Sequence, residues 1–540
     1  MKIGIYTAYD ASTVLGKEGL GRYLGSLVRG FTASGHEVTI ACPQWSEKTV
    51  RELLLDFQID PARVHLLTSD KIPVVARLYL LRRKKKRRQG RGRLRLLLRT
   101  CWNQCKAVGK NILTITNPLG FALVALLAGA AGLVSGVVAI PLALVIGLLL
   151  FLCKKLGELL RRCLGAKADK VRHALSKKRQ ELHIKVLTLL TESVCRHLVD
   201  LINASESQDV WFVPALFWPE IHNIQGTRVV CAPDLVTAIF PGQFAEDPYH
   251  ISVTRRCVRT LEQETYFVTY CDYLRNSLLR LKYKKEETIS IPHANNDMSS
   301  YITIDAKEEM RLNAQKSFTT AFARGILEGL RGKAVLTNGA YFSTLSMKHL
   351  RYVFYASQCR PHKNMLSLVR AYEELLRRRY CGVKLLLTAD LSRPENKEIA
   401  AYILAHRLQY DILCCPNLTV QELAAAYHCA DLVVNPTLYE GGFPFTFGEG
   451  MSVGTPSVMS DIPQTREVVE AFGLADEMLF DPYDWRAMAE RIEYGLKNRA
   501  ALYEQQLPMY RAMAERTAQV VAGEYVAAFE YFIEKDRANG

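Results

Sequence analysis

The sequence predicts an α/β protein of two doubly wound parallel lobes, the first interrupted by a basic and hydrophobic hairpin insertion. Three observations lead there. A strand, a glycine-containing turn, a helix and a second strand follow one another between Lys2 and Cys42, the order of a parallel α/β unit. Strand-like and helix-like segments alternate again from Tyr352 onward. Between Lys110 and Lys154 lie 43 residues without one charged side chain.

Taken in order, Lys2 to Thr7 alternate as a short apolar strand, and Glu18-Gly19-Leu20-Gly21-Arg22 opens an amphipathic helix carrying Tyr23, Leu24, Leu27 and Val28. Glycines at that point let backbone approach a ligand at the helix N-terminus. Strands are expected at Glu37 to Cys42, Val64 to Thr68, Val210 to Pro214, Val229 to Cys231 and Ile289 to Ile291. The second series expects strands at Tyr352 to Ala356, Val383 to Thr388, Leu432 to Asn435 and Pro456 to Met459. Helices near Lys363 to Arg379, Asn396 to His406, Val420 to Cys429 and Phe445 to Ser452 alternate with them. Residues 300 to 350 read as an elaborated linker, and Trp485 to Lys535 as helices that pack back across the first lobe. The expected division is 1–70 and 206–345 for the first lobe and linker, 71–205 for the insertion, 346–500 for the second lobe and 501–540 for a helical tail.

A bilayer core of about 30 Å takes roughly 20 apolar residues per helical crossing, so 43 suit a hairpin of two crossings, with its apolar core at 112–153 and its turn near Ser135-Gly136. Residues 71 to 157 hold 17 Lys or Arg and no Asp or Glu. Both ends of the hairpin are therefore expected on the cytoplasmic side, with the basic block on anionic membrane lipids. The first lobe's strands lie before and after the insertion, so it has to leave and return on one side of the membrane. A re-entrant hairpin and a buried helical pair are the other readings of the run. The chain is +16 overall, leaving −1 outside the basic block; the charge is local, and the block lacks the interleaved aromatics of a nucleic-acid surface. Met1-Lys2 leads straight into the first strand, so no cleavable signal is expected and the first lobe is placed in the cytosol. Fourteen cysteines without paired spacing are expected to be reduced, packed thiols.

The richest chemical signal runs from Asn435 to Met451, where Glu440 and Glu449 bracket Gly441-Gly442-Phe443-Pro444 ahead of a helix. It offers backbone N–H groups for an anion and two acceptors for sugar hydroxyls. Upstream, Arg360-Pro361-His362-Lys363-Asn364 follows a strand at the carboxyl end of its sheet, where ligands of such folds bind; Arg360 and Lys363 can neutralise a diphosphate.

In these two motifs the chain resembles the retaining glycosyltransferases of family 4, with the GT-B fold of two Rossmann-like lobes facing a cleft. The resemblance runs from Met1 to about Lys497, except for the insertion and residues 300 to 350. It implies that Arg360 and Lys363 bind the diphosphate of a nucleotide sugar and that Glu449 binds its ribose. It sets Glu440, Gly441, Gly442 and Phe443 around the transferred sugar, with Gly19 and Gly21 near the diphosphate from the opposite lobe. No cofactor and no metal are implied, the nucleotide sugar being a co-substrate. Two departures stand out. Glu440 and Glu449 are nine apart where the family spaces its glutamates by eight, and Cys231-Ala232-Pro233-Asp234-Leu235 has a proline where many relatives have histidine. Asp234 is either a turn former or a group that binds the acceptor or assists its deprotonation, and it is paired here with Glu440 as the catalytic candidates. His293 is a candidate cleft contact.

Cleaving a sugar–phosphate bond leaves negative charge on the diphosphate, which Arg360 and Lys363 would stabilise. The expected protein is a membrane-anchored glycosyltransferase on the cytoplasmic face, acting on a lipid-linked or membrane-proximal glycan acceptor in cell-envelope polysaccharide or glycolipid synthesis. A soluble acceptor with a purely anchoring hairpin is the second reading, and a catalytically silent membrane scaffold the third.

Overall fold

The computed structural model describes residues 1–9, 13, 15–17, 19–68, 189–244, 248–282, 285–303, 312–336, 341 and 344–539. The expected hairpin at 112–153 and the basic block lie outside the described residues. Residues 1–70 and 192–540 form one compact unit holding two parallel sheets.

The first sheet has seven strands: β1 (Lys2–Tyr6), β2 (Glu37–Cys42), β3 (Val64–Thr68), β4 (Val210–Val213), β5 (Arg228–Cys231), β6 (Tyr266–Thr269) and β7 (Thr288–Ser290). Their order is β3-β2-β1-β4-β5-β6-β7, with β1 between β2 and β4, so the strands on either side of the insertion share one sheet. Side chains alternate between its faces as the pleat requires. Phe212 joins Ile3 and Ile5 under helices α1 (Gly19–Ala33) and α2 (Gln44–Asp56). Trp211 and Val213 join the opposite core with Cys195 and Leu198 from the helix at 189–204.

The second sheet, β8 (Tyr352–Tyr355), β9 (Lys384–Leu387), β10 (Ile412–Cys414), β11 (Leu432–Asn435), β12 (Ser457–Ser460) and β13 (Leu479–Phe480), runs in the order β10-β9-β8-β11-β12-β13. Val353 and Tyr355 face one core, Tyr352 and Phe354 the other. A helix from Leu312 to Glu328, within the stretch read as linker, lays Ala323 and Leu327 against this second core. The last helix, Ala518–Asn539, packs on the first lobe, where Tyr525 and Phe529 contact Phe212 and Phe31.

Strand order reverses between β1 and β4 in one sheet and between β8 and β11 in the other. Such switch points open crevices at the carboxyl ends of the strands. The segments at Gly19, Arg360 and Glu440 follow β1, β8 and β11 respectively. Among the described residues no helix is long and apolar enough to cross a membrane, and the ten described cysteines are free thiols.

Candidate active site between the lobes

The loop after β8 turns through a short 3-10 segment, Pro361–Lys363, and reverses at Asn364, whose φ of 53° lies in the left-handed region. Asn tolerates that region better than most residues because its short amide bonds locally; here Nδ2 donates to the Pro482 carbonyl at 2.7 Å. The turn aims Lys363 at the loop after β11, and its Nζ donates to Glu440 Oε1 at 2.6 Å, with both side chains about four-fifths buried. His362 anchors the same loop through its carbonyl, which accepts from the Leu438 amide at 2.8 Å and the Thr437 hydroxyl at 3.1 Å. Arg360 is more exposed and donates to Gln358 Oε1 at 3.0 Å.

Facing these groups across the cleft is the loop after β5. Asp234 accepts from the Val236 amide at 3.3 Å, the Asx turn that its loop position suggests. Its own surface stays open while dense protein surrounds it, and that desolvation raises its carboxyl above the ordinary range against the pull of the Val236 amide, Arg360 and Lys363. Glu440 pushes in the same direction as burial. The structure thus brings Asp234, Arg360, Lys363 and Glu440 into one electrostatic neighbourhood built from both lobes.

Backbone contact makes the approach close. A Cβ on Gly441 would stand 1.9 Å from the Pro233 carbonyl oxygen, so no larger residue fits without parting the loops. Two residues away on each loop, the Leu235 amide donates to Tyr439 Oη at 2.8 Å. Gly442 lies against Tyr270, and the Phe443 carbonyl accepts from His293 Nε2 at 2.7 Å. His293 is buried and stacked on Phe445 with ring centroids 3.8 Å apart, and burial pushes its imidazole below the usual value. The neutral ring has one N–H, and the shorter contact assigns it to Phe443, so His293 holds the backbone of the loop after β11.

Gly21 is required where α1 begins, because a Cβ there would come within 1.8 Å of the Leu15 carbonyl oxygen; Gly19 faces open space. Glu449 lies on the helix Phe445–Ser452 and is 1% exposed. It accepts from Arg22 on α1, from Asn296 Nδ2 at 2.7 Å and from Tyr427 Oη at 2.6 Å. The glutamate assigned to ribose by resemblance is therefore engaged by both lobes.

Sequence reading passed over Arg22, Asn296, Tyr427 and Glu467. Glu467 accepts from the Asp272 and Tyr273 amides at 3.2 and 3.3 Å, capping a first-lobe helix, Asp272–Arg280, from the second lobe. For Arg22 a signal existed: a cation in a first helical turn opposes the helix dipole and calls for an anionic partner. Asn296 and Tyr427 carry no such signal. Among the described residues no cluster of His, Cys, Asp or Glu is arranged to hold a metal ion. A cavity of about 420 Å³ lined by Leu479, Asp481, Arg491 and Tyr494 contains none of the inter-lobe residues.

Residues 350–498 match the family model for glycosyl transferases group 1, a span that contains both second-lobe motifs. Solved structures share the two-lobed GT-B fold along nearly the whole chain. Sucrose-phosphate synthase of Thermosynechococcus elongatus superposes with a TM-score of 0.56 at 13% identity, covering 99% of each chain. HepE of Anabaena, in complex with UDP and glucose, gives 0.52 at 12%, covering 98% of each. A glycosyltransferase from Rickettsia africae gives 0.51 at 11%, again covering 98% of each. No curated protein matches the chain.

Proposed function

We propose that this chain is a glycosyltransferase that moves a sugar from a nucleotide donor, with retention at the anomeric carbon, onto a lipid-linked or membrane-proximal glycan acceptor. The observation that carries the reading is the convergence of Arg360, Lys363 and Glu440 from one lobe on Asp234 from the other. The family match over 350–498 and the fold shared with a structure holding UDP and glucose support the nucleotide-sugar part.

In this reading Arg360 and Lys363 take the charge that builds on the leaving diphosphate, a term preorganised in a partly dry cleft. Lys363 has three N–H donors and spends one on Glu440, so two can reach phosphate oxygens. Glu440 and the backbone of Gly441, Gly442 and Phe443 surround the sugar, and Gly19 and Gly21 border the diphosphate. Asp234, raised by its surroundings, receives or orients the acceptor hydroxyl; family 4 chemistry of front-face attack needs no protein nucleophile, and no cofactor or metal is assigned. The run 112–153 and the basic residues flanking it support anchoring on the cytoplasmic face of a membrane. We keep the expected division of the chain, 71–205 as insertion and 501–540 as tail, as part of this proposal.

Detergent-solubilised protein incubated with a panel of nucleotide sugars should hydrolyse one of them slowly, read by mass spectrometry of the released nucleoside diphosphate. Lys363→Ala should reduce that rate about tenfold or more, since a hydrogen bond from a charged group contributes about 1.5–3 kcal/mol, and Asp234→Asn should abolish transfer while sparing nucleotide binding. Release of no diphosphate from any donor would leave the silent scaffold as the better account.

A further inference from the structure

We propose that Arg22 is a latch: its ion pair with Glu449 holds the two lobes together, and the ribose hydroxyls of the nucleotide replace it when the donor binds. The inference rests on the reading of the cleft as a nucleotide-sugar site. Arg22 stands on α1 of the first lobe and Glu449 on the helix after β11 of the second. Glu449 Oε1 accepts from Arg22 and from Asn296, and Oε2 accepts from Tyr427. A carboxylate has about four acceptor positions, so a single one remains, and a ribose diol brings two donors.

The sources of the three donors decide which can leave. Arg22 comes from the first lobe, Tyr427 belongs to the second lobe with Glu449, and Asn296 lies in the crossover two residues before Met298, which is buried in the second lobe's core and donates to Ser452 on the helix of Glu449. Withdrawal of the first lobe therefore frees the Arg22 position on Oε1 and leaves the Asn296 and Tyr427 bonds in place. One protein donor leaves, and its position together with the vacant one takes the two hydroxyls, so the buried carboxylate is never left bare. Of the other closing contacts, Leu235 to Tyr439 and Asp272 to Glu467 use no group assigned to the donor, and His293 to Phe443 takes a carbonyl of the backbone assigned to the sugar, remote from the ribose carboxylate. Arg22 on Glu449 is the contact that a ribose has to break. It also places a guanidinium in the first turn of α1, against the helix dipole, a position that Glu449 compensates.

The test is calorimetric binding of UDP, GDP and ADP to the full-length protein and to Arg22→Met. For whichever nucleotide the wild type binds, Arg22→Met should bind it roughly five- to tenfold more tightly, tenfold corresponding to about 1.4 kcal/mol. The matching 2′,3′-dideoxynucleotide should show no such gain. Weaker binding by Arg22→Met, or an equal gain with the dideoxynucleotide, overturns the exchange and makes Arg22 a support for Glu449 instead. Amide hydrogen exchange without nucleotide gives a second readout. Peptides containing Leu235 and Tyr273, whose amides are bonded across the lobes, should exchange faster in Arg22→Met, and unchanged exchange overturns the latch. Absence of nucleotide binding by the wild type would instead overturn the underlying reading of the cleft, and faster exchange in that case would still uphold the latch. Where Arg22→Met does not fold, Arg22→Lys should give the same signs at smaller size.

Discussion

Lys363 pairs with Glu440, Arg22 with Glu449, and Asp234 accepts from the Val236 amide, while two histidines around them are held neutral chiefly by burial. His293 is buried against Phe445 and spends its N–H on the Phe443 carbonyl. His362 sits beside Lys363 and Arg360; burial first, and then those two cations, push its imidazole down to about 3. An unfolded histidine titrates near 6.5, so below that value the unfolded chain binds protons that the folded one refuses. Stability from both residues is then complete above about pH 6.5 and is lost as the pH falls toward the lowered folded values. The thermal midpoint should accordingly drop between pH 7 and pH 4, and His362→Gln should make the drop shallower by removing one contributor. Parallel melting curves for the two proteins across that range would show that His362 carries no part of the acid sensitivity. The same residue anchors the loop leading to Glu440 through its carbonyl, so acid should also loosen that loop before it unfolds either sheet.

At the scale of elements, the final helix, Ala518–Asn539, joins the far end of the chain to its beginning. Tyr525, Phe529 and Phe532 are fully buried, Tyr525 Oη meets Tyr23 Oη at 2.5 Å, and a Cβ on Gly30 would meet the Ala518 carbonyl oxygen at 2.1 Å. The helix is the cover of one face of the first sheet, and Phe529→Ala should cost about 3–5 kcal/mol in urea unfolding, the range for a large aromatic lost from a packed core. A loss below 1 kcal/mol would mean that the helix adds little to that core. The sequence reading took Trp485 to Lys535 as helical and sent it back across the first lobe, which holds for this last helix, whereas Met488, Ile492, Leu502 and Met509 pack in the second lobe's core. Strands β6, β10 and β13 escaped that reading. They are four, three and two residues long, no shorter for β6 and β10 than the strands that were found, and each is a brief apolar run that pattern alone does not separate from the end of a neighbouring helix. The β8 and β11 loops were legible because each carries several chemistry-bearing residues in sequence. The Arg22, Asn296 and Tyr427 set was not, since Arg22 and Asn296 lie 427 and 153 positions from Glu449, and Tyr427 faces it from a helix that reads as ordinary core. Asn296 in particular is 153 residues from its partner, and nothing local to it speaks of a carboxylate.

For the whole molecule, the question is what the segment between β3 and β4 would do for the proposed glycosyltransferase, whose cleft is assembled from other parts of the chain. Among the described residues the first sheet has seven strands, with β3 at one end of the order and β4 pairing with β1 in the centre. Every group assigned to the cleft lies at 19–22, 231–235, 270–273, 293–296, 360–364, 427, 435–449 or 467, outside the 17 cations and the uncharged run of residues 71 to 157. Holding enzyme and lipid acceptor on one surface raises their effective concentration without adding a catalytic contact. A variant with residues 75–165 replaced by a Gly-Ser linker, long enough to rejoin positions 74 and 166, should therefore stay in solution without detergent. It should bind nucleotide with the affinity of the full chain and hydrolyse the nucleotide sugar at a similar slow rate. Transfer to an acceptor embedded in vesicles should fall by about 10²-fold or more, the scale on which tethering acts, whereas transfer to a short soluble analogue of that acceptor should be unchanged. Loss of nucleotide binding by a folded variant would show that the insertion helps to build the cleft. Undiminished transfer to the vesicle-borne acceptor would show that membrane proximity has no part in choosing the substrate, and would favour the reading in which the acceptor is soluble and the hairpin only an anchor.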